Sequence, residues 1–506
     1  MNWKRSLLAI LTVISMYSVF FALSQSLGEP QVQAQLELYQ TNLILNASSL
    51  NQSSNPSISN DDNVSNIAQG LIGNDPYGVA QNQYEKALIA TKDSLHNLQE
   101  KNNSLSNSEK AIASESPRQQ LKQNIEQNQN LVNNLNLKLG IICAKENNLK
   151  IANNYWSNIS DEELKEVLIN IWDKKLGGIN NKLEEIVSEK LDGWFKLNTL
   201  AQLYKNQNDL DKLSEIKSQQ KIIAEKSIYR LFSLSIIPVF GGLVGFGLII
   251  FLIIQLVIKK ETSILATNYN RVWQSPWDWE IIWQVFIVGF FFLSQVLLPL
   301  LFGLSGFNPS SFSIKGKALY VLVSYFFMAG GGLLVLYLSL KSFFPLPEGW
   351  FNLTNKKWYL WGIGGYLVAI PSVFLVSILN QQLWQGRGGS NPLLLLALES
   401  QDKFALAIFF LTASIAAPIF EEIMFRGFLL PSLTRYLPVW GAIVVSGIIF
   451  AVAHLSLAEI IPLATLGIIL GIVYTRSRSL LASITLHSLW NSGTLFSLFV
   501  LGSKIN

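Results

Sequence analysis

Polar and apolar positions divide the chain unevenly. After Lys4 and Arg5, an apolar run covers 7–23, which fits either a signal peptide cut near Ser24 or an uncleaved anchor. Residues 24–230 are polar and rich in Asn, Gln, Ser and Lys. Within them, 25–80 is a low-hydrophobicity stretch read as a disordered linker, and 81–230 is an exported helical region. Ser160 and Glu163 form a capping-box pattern, and Leu164, Leu168, Ile171 and Trp172 then recur at helical spacing. Trp194, Leu197, Leu200 and Leu203 repeat it, which predicts a helical hairpin or small bundle with no fixed repeat period. A solvated spacer or docking arm, with a protein partner for 81–230, is the simplest role for this region.

From 231 the chain turns apolar. Spans are predicted at 232–257, 281–303, 318–340, 358–379, 404–430, 439–453, 460–474 and 480–501, close to the ~20 residues a bilayer needs or somewhat short of it. The fold class is therefore all-α, a polytopic membrane helix bundle, with 231–400 as the first part of the membrane domain and 401–506 as its core. Gly241 and Gly245 form a small-xxx-small pair suited to close helix packing. Basic pairs at Lys259 and Lys260, Lys356 and Lys357, and Arg476 and Arg478 favour a cytoplasmic side that leaves 25–230 outside, although Lys315 and Lys317 oppose this. The expected location is the plasma membrane or an internal energy-converting membrane.

Composition narrows the function. Half of the 506 residues are hydrophobic and 14% are charged, and the net charge of +4 has no basic stripe, so nucleic acid is not an expected partner. The single cysteine, Cys143, cannot form an internal disulfide. Charged residues inside an apolar span are costly and are functional candidates. The stretch 416–427 holds three of them, Glu421, Glu422 and Arg426, and two of the three histidines, His454 and His487, lie in later apolar segments.

Three pairs have i, i+4 spacing: Glu422 with Arg426, Phe450 with His454, and His487 with Asn491. Glu422 and Arg426 read as an intrahelical ion pair. Glu421, about 100° round an α-helix from Glu422, is expected to face elsewhere and to remain unpaired. A glutamate, two histidines and an asparagine supply a general base, a proton shuttle and an oxyanion donor, the groups that water attack on an amide carbonyl needs.

Glu421-Glu422-x-x-x-Arg426, Phe450-x-x-x-His454 and His487-x-x-x-Asn491, in this order on successive spans, resemble the signature motifs of the CAAX-protease and bacteriocin-processing (CPBP, or Abi) family of intramembrane endopeptidases, relatives of the type II CAAX prenyl protease. The resemblance covers 404–501 and leaves the first 230 residues outside. It implies an endopeptidase acting on a membrane-associated protein or peptide. Glu421 would activate water with help from His454, His487 and Asn491 would hold the oxyanion, and Glu422, Arg426 and Phe450 would support the site. Glu421, His454 and His487 are also a donor set for a divalent metal such as zinc, but a His-Glu-x-x-His helix is absent, which favours a metal-free glutamate mechanism with no cofactor.

Glu421 and His454 meet only if the helix carrying Glu421 continues to about Tyr436, placing the carboxylate at mid-membrane, or if the helix carrying His454 starts deeper; the long helix is the expectation. Two rivals stand beside this reading. A catalytically silent scaffold, immunity or transport protein would use the polar cluster only to join helices. Gly303-Leu304-Ser305-Gly306 matches the Gly-x-Ser-Gly of rhomboid-type serine proteases, with Ser305 as nucleophile, although glycine and serine are also ordinary turn residues.

Overall fold

The computed structural model describes residues 3–27, 32–50, 70–107, 115–174, 181–306, 309, 312–353, 357–384, 388–389, 392–400 and 402–503. The described residues are helical with no strand, as the patterning requires, and they form two compact units.

One unit comprises Gln33–Ser235. Its helices include Val32–Ser48, Pro76–Asn107, Glu115–Lys145, Glu162–Trp172, Gly193–Gln207 and Leu210–Ile236. Val32–Ser48 lies where the low hydrophobicity predicts a disordered linker; Leu43, Leu45 and Ala47 are buried and provide enough apolar contact to order it. Residues 51–69 of that linker lie outside the described residues. Trp156 is fully buried with its indole N–H donating to the Leu137 carbonyl at 3.3 Å. A Cβ at Gly140 would fall 2.1 Å from that indole nitrogen, so a glycine is needed there. The helix expected to begin at Ser160 is capped by Asp161 instead, whose side chain accepts from the Leu164 N–H. Ser160 hydrogen-bonds with Asn133, which leaves Asp161 as the nearest free acceptor for the first turn.

The other unit comprises Met1–Val32 and Ile236–Gly502. Among the described residues of the whole chain, seven helices are long and apolar enough to cross a membrane: Trp3–Ser26, Leu210–Thr262, Trp279–Leu304, Ile314–Phe343, Trp358–Trp384, Lys403–Leu433 and Leu457–Ser477. Two other expected spans are helices that differ in kind. Val439–Val452 has only 14 residues, and Leu480–Gly502 has the length but carries Ser483, His487 and Asn491 in its apolar run. Both pack into the bundle. The N-terminal helix Trp3–Ser26 is held against its neighbours by Arg5 on Glu280 at 2.8 Å and by the Trp283 indole donating to Thr12 at 2.8 Å. Gly245 lies where a Cβ would meet the Leu367 carbonyl at 1.9 Å, so the small-residue pair serves close helix packing as its spacing predicts.

Lys403–Leu433 is one continuous 31-residue helix followed by a turn through Tyr436, close to the predicted extent. At 1.5 Å per residue, Glu421 lies about 18 Å from the helix end at Leu433, near the middle of a ~30 Å hydrocarbon core.

In the Gln33–Ser235 unit, the Lys190 ammonium, first, and the Leu164 N–H hold the Asp161 carboxyl below the usual aspartate range. A depressed carboxyl stabilises the fold above its unfolded pKa, and that contribution is lost as pH falls through the folded value. Asn keeps the cap but loses the partly exposed ion pair with Lys190, so Asp161→Asn is expected to lower the stability of a 33–235 fragment by about 0.5 kcal/mol at neutral pH. Thermal unfolding should show the difference from wild type closing as pH falls below about 3.9.

Candidate active site

Glu421 and Glu422 sit on the short α-helical stretch Ala417–Glu422, between the π-helical stretches Leu411–Ala416 and Ile423–Leu429. Such π-bulges recur at functional sites. The outcome differs from the simple helical-wheel expectation. Both carboxylates approach the same imidazole: Glu422 Oε1 is 2.9 Å from His487 Nδ1, and Glu421 Oε2 is 3.9 Å from His487 Nε2.

Glu422 is fully buried and pairs with the fully buried Arg426 at 2.7 Å, as its spacing predicts. Arg426 Nη2 also donates to the Gly467 carbonyl at 3.0 Å. That reach depends on Gly447 and Gly467, where a Cβ on Gly467 would come 2.8 Å from Gly447 Cα. The two helices can approach closely only without those side chains. Phe450, also fully buried, packs between the charged groups. The Arg426 guanidinium lies 4.5 Å from its ring centre, and the His454 and His487 rings meet it edge-on at 4.8 and 5.6 Å.

His454 is not on the helix with Phe450 but in the turn just beyond Val452, since that helix ends early. Its Nδ1 lies 2.8 Å from the Phe450 carbonyl, which only accepts, so Nδ1 carries the proton and Nε2 is left as the acceptor in the neutral ring. The segment after His454 is fixed from outside. Asn380 donates to the Ala458 carbonyl at 2.6 Å, and Ser456 and Ala458 donate to the carbonyls of Gly389 and Gly388.

Glu421, His454 and Asn491 line one cavity of about 500 Å³. Its walls are largely apolar, with Phe290, Met328, Val373, Leu463 and Trp490 among them. Glu421 Oε2 is buried and has no hydrogen-bond partner. Asn491 uses one amide hydrogen on the Ala413 carbonyl at 2.8 Å, leaving a second donor. His487 stands behind this wall with its Nδ1 occupied by Glu422, so it is not free to reach the cavity in the way the motif order alone implies. Tyr325 also lines the cavity, within interaction range of the Glu421 carboxylate, and its hydroxyl donates to the Ala417 carbonyl at 3.4 Å. It comes from Ile314–Phe343, far from the motifs in sequence, and a tyrosine in an apolar span gives no signal of its own.

Among the described residues no group of three or more His, Cys, Asp or Glu side chains is placed to hold a metal ion. No step is derived through a metal. Ser305 does not line the cavity; it is exposed at a helix end, and its hydroxyl donates to the Phe302 carbonyl at 2.6 Å.

Residues 403–493 match the family model of the type II CAAX prenyl endopeptidase Rce1-like proteins. This segment is similar to the CPBP family. The putative membrane peptidase YdiL of Bacillus subtilis is 24% identical over 216 residues, covering 42% of this chain and 86% of that protein. The membrane-embedded CAAX protease MroQ of Staphylococcus aureus is 24% identical over 220 residues, covering 42% of this chain and 87% of that protein. No solved structure matches the chain. With seven membrane-length apolar helices, the protein is an integral multi-pass membrane protein of the membrane-endopeptidase class.

Removing Arg426 would leave Glu422 as a buried charge held only by His487. Arg426→Ala is expected to cost about 3–5 kcal/mol, seen as a large fall in melting temperature of the detergent-solubilised protein.

Proposed function

We propose that the protein is an intramembrane endopeptidase that hydrolyses a peptide bond of a membrane-associated protein or peptide with water activated by Glu421. The observation that carries this reading is the meeting of Glu421, His454 and Asn491 on one apolar-walled cavity, with a Glu421 oxygen buried and unpartnered. A buried carboxylate oxygen without a donor is costly, and a substrate water would supply that donor.

In the proposed reaction, water binds between Glu421 and the acceptor Nε2 of His454. Glu421 removes a proton as the water oxygen attacks the carbonyl carbon, and the C=O electrons move onto oxygen. The free amide hydrogen of Asn491 stabilises that oxyanion. The oxyanion then collapses, the C–N bond breaks, and the proton on Glu421 passes to the leaving nitrogen, giving a carboxylic acid and an amine. His487 acts through Glu421: held by Glu422, it presents Nε2 to the catalytic carboxylate and limits its rotamers. Tyr325 borders Glu421 on another side and plays a similar positioning part.

The apolar wall suits a substrate segment that enters from the bilayer. The relatives are a putative membrane peptidase and a membrane-embedded CAAX protease, which agrees with peptide-bond hydrolysis.

For protein reconstituted in vesicles with a membrane-peptide substrate, Glu421→Gln is expected to lower kcat by at least about 10³-fold and His454→Ala by about 10²–10⁴-fold. Tyr325→Phe should give a smaller loss in kcat with KM little changed. Ser305→Ala and treatment with a zinc chelator should leave the rate unchanged. Wild-type cleavage rates in both Glu421→Gln and His454→Ala would refute the reading.

A further inference from the structure

At the end of Leu457–Ser477 opposite the loop that follows His454, arginines gather without any carboxylate. Arg476 is 2% exposed, yet its Nε has no hydrogen-bond partner and its Nη1 reaches only its neighbour Thr475, at 3.4 Å. Its guanidinium lies 5.4 Å from the ring centre of Trp440. Arg478 stacks 3.4 Å above the Trp273 ring and donates from Nη2 to the Arg271 carbonyl, but its Nε is likewise buried without a partner. The Tyr474 ring stacks on Trp273 at 5.4 Å, and its buried hydroxyl also has no partner. Asn268 donates to the Arg476 carbonyl at 3.0 Å, which fastens the loop carrying Arg271 to this helix end.

Among the described residues no acidic side chain forms an ion pair with Arg271, Arg476 or Arg478. Cations near a span end are accounted for by topology, which asks only that they face the cytoplasm. That account does not explain guanidinium nitrogens that are buried and unsatisfied beside one another. Like charges out of water repel, and an unpaired buried guanidinium is costly unless an anion completes it. The flat guanidinium fork matches the oxygens of a phosphate, and a phenol supplies one further donor.

We propose that Arg271, Arg476, Arg478 and Tyr474 form a binding site for a phosphate group at the membrane interface. Position favours a lipid headgroup as its source. The span ends here, half-exposed Trp440 stacks with Arg476 at that end, and basic pockets between membrane helices bind anionic headgroups. Exposed Arg271 provides the way in from the surface. This site is separate from the cavity, and the inference is independent of the peptidase reading.

The test uses the full chain in neutral detergent, with phosphatidylglycerol, phosphatidylcholine or inorganic phosphate added and the melting temperature recorded. Phosphatidylglycerol is expected to raise the melting temperature by about 2–4 °C more than phosphatidylcholine. The shift should be lost in Arg478→Gln and weakened in Arg271→Gln, whose exposed side chain leaves folding intact even if the buried Arg476→Gln fails to fold. An equal shift with inorganic phosphate, lost in the same variants, would support the site and assign it to a soluble phosphate. No shift with any phosphate compound, or a shift retained in both Arg271→Gln and Arg478→Gln, would overturn the proposal.

Discussion

The buried pair of Glu422 and Arg426 is the interaction on which the membrane core depends. A fully desolvated ion pair contributes little net stability compared with apolar residues of the same size, but breaking it is expensive. Its value is in what it orients. Glu422 has a second partner in His487, Arg426 has a second acceptor in Gly467, and Phe450 packs against the guanidinium and both histidines. Four helices are thereby tied at one point: Lys403–Leu433, Val439–Val452, Leu457–Ser477 and Leu480–Gly502.

This arrangement assigns different work to two neighbouring carboxylates. Glu422 uses one oxygen on both Arg426 and His487, its other oxygen is buried without a partner, and it does not line the cavity. Glu421 is left with a buried, unpartnered oxygen on the cavity wall. In the proposed mechanism the first is structural and the second chemical, and His487 couples them because each of its ring nitrogens faces one of the two. Both glutamates sit on the α-helical stretch Ala417–Glu422, and the coupling is possible because His487 offers one ring nitrogen to each carboxylate.

Much of this was legible in the chain because a membrane makes polar residues conspicuous. Glu421, Glu422, Arg426, His454, His487 and Asn491 stand out in apolar runs, and the Glu422–Arg426 spacing gives the ion pair directly. The long helix through Glu421 also followed from the need for it to meet His454. What the chain concealed depends on contacts made at long range or on local backbone form. The π-stretches that flank Ala417–Glu422 have no residue signature, and the imidazole shared by Glu421 and Glu422 comes from His487 on a distant helix. Tyr325 is apolar in pattern and distant in sequence. In the other unit, Asp161 caps a helix assigned by pattern to Ser160, because Asn133 takes up Ser160, and Val32–Ser48 is ordered by burial that local composition does not reveal. The cavity and the arginine cluster at Arg476 appear only once the helices are packed.

The most direct test of Glu421-dependent proteolysis is a comparison of membrane-peptide termini in cells carrying the wild type and cells carrying Glu421→Gln. The account predicts that at least one membrane-associated protein accumulates uncut in the variant, with its wild-type cleavage terminus missing. Identical sets of termini in the two, with both proteins present at equal amounts, would contradict it.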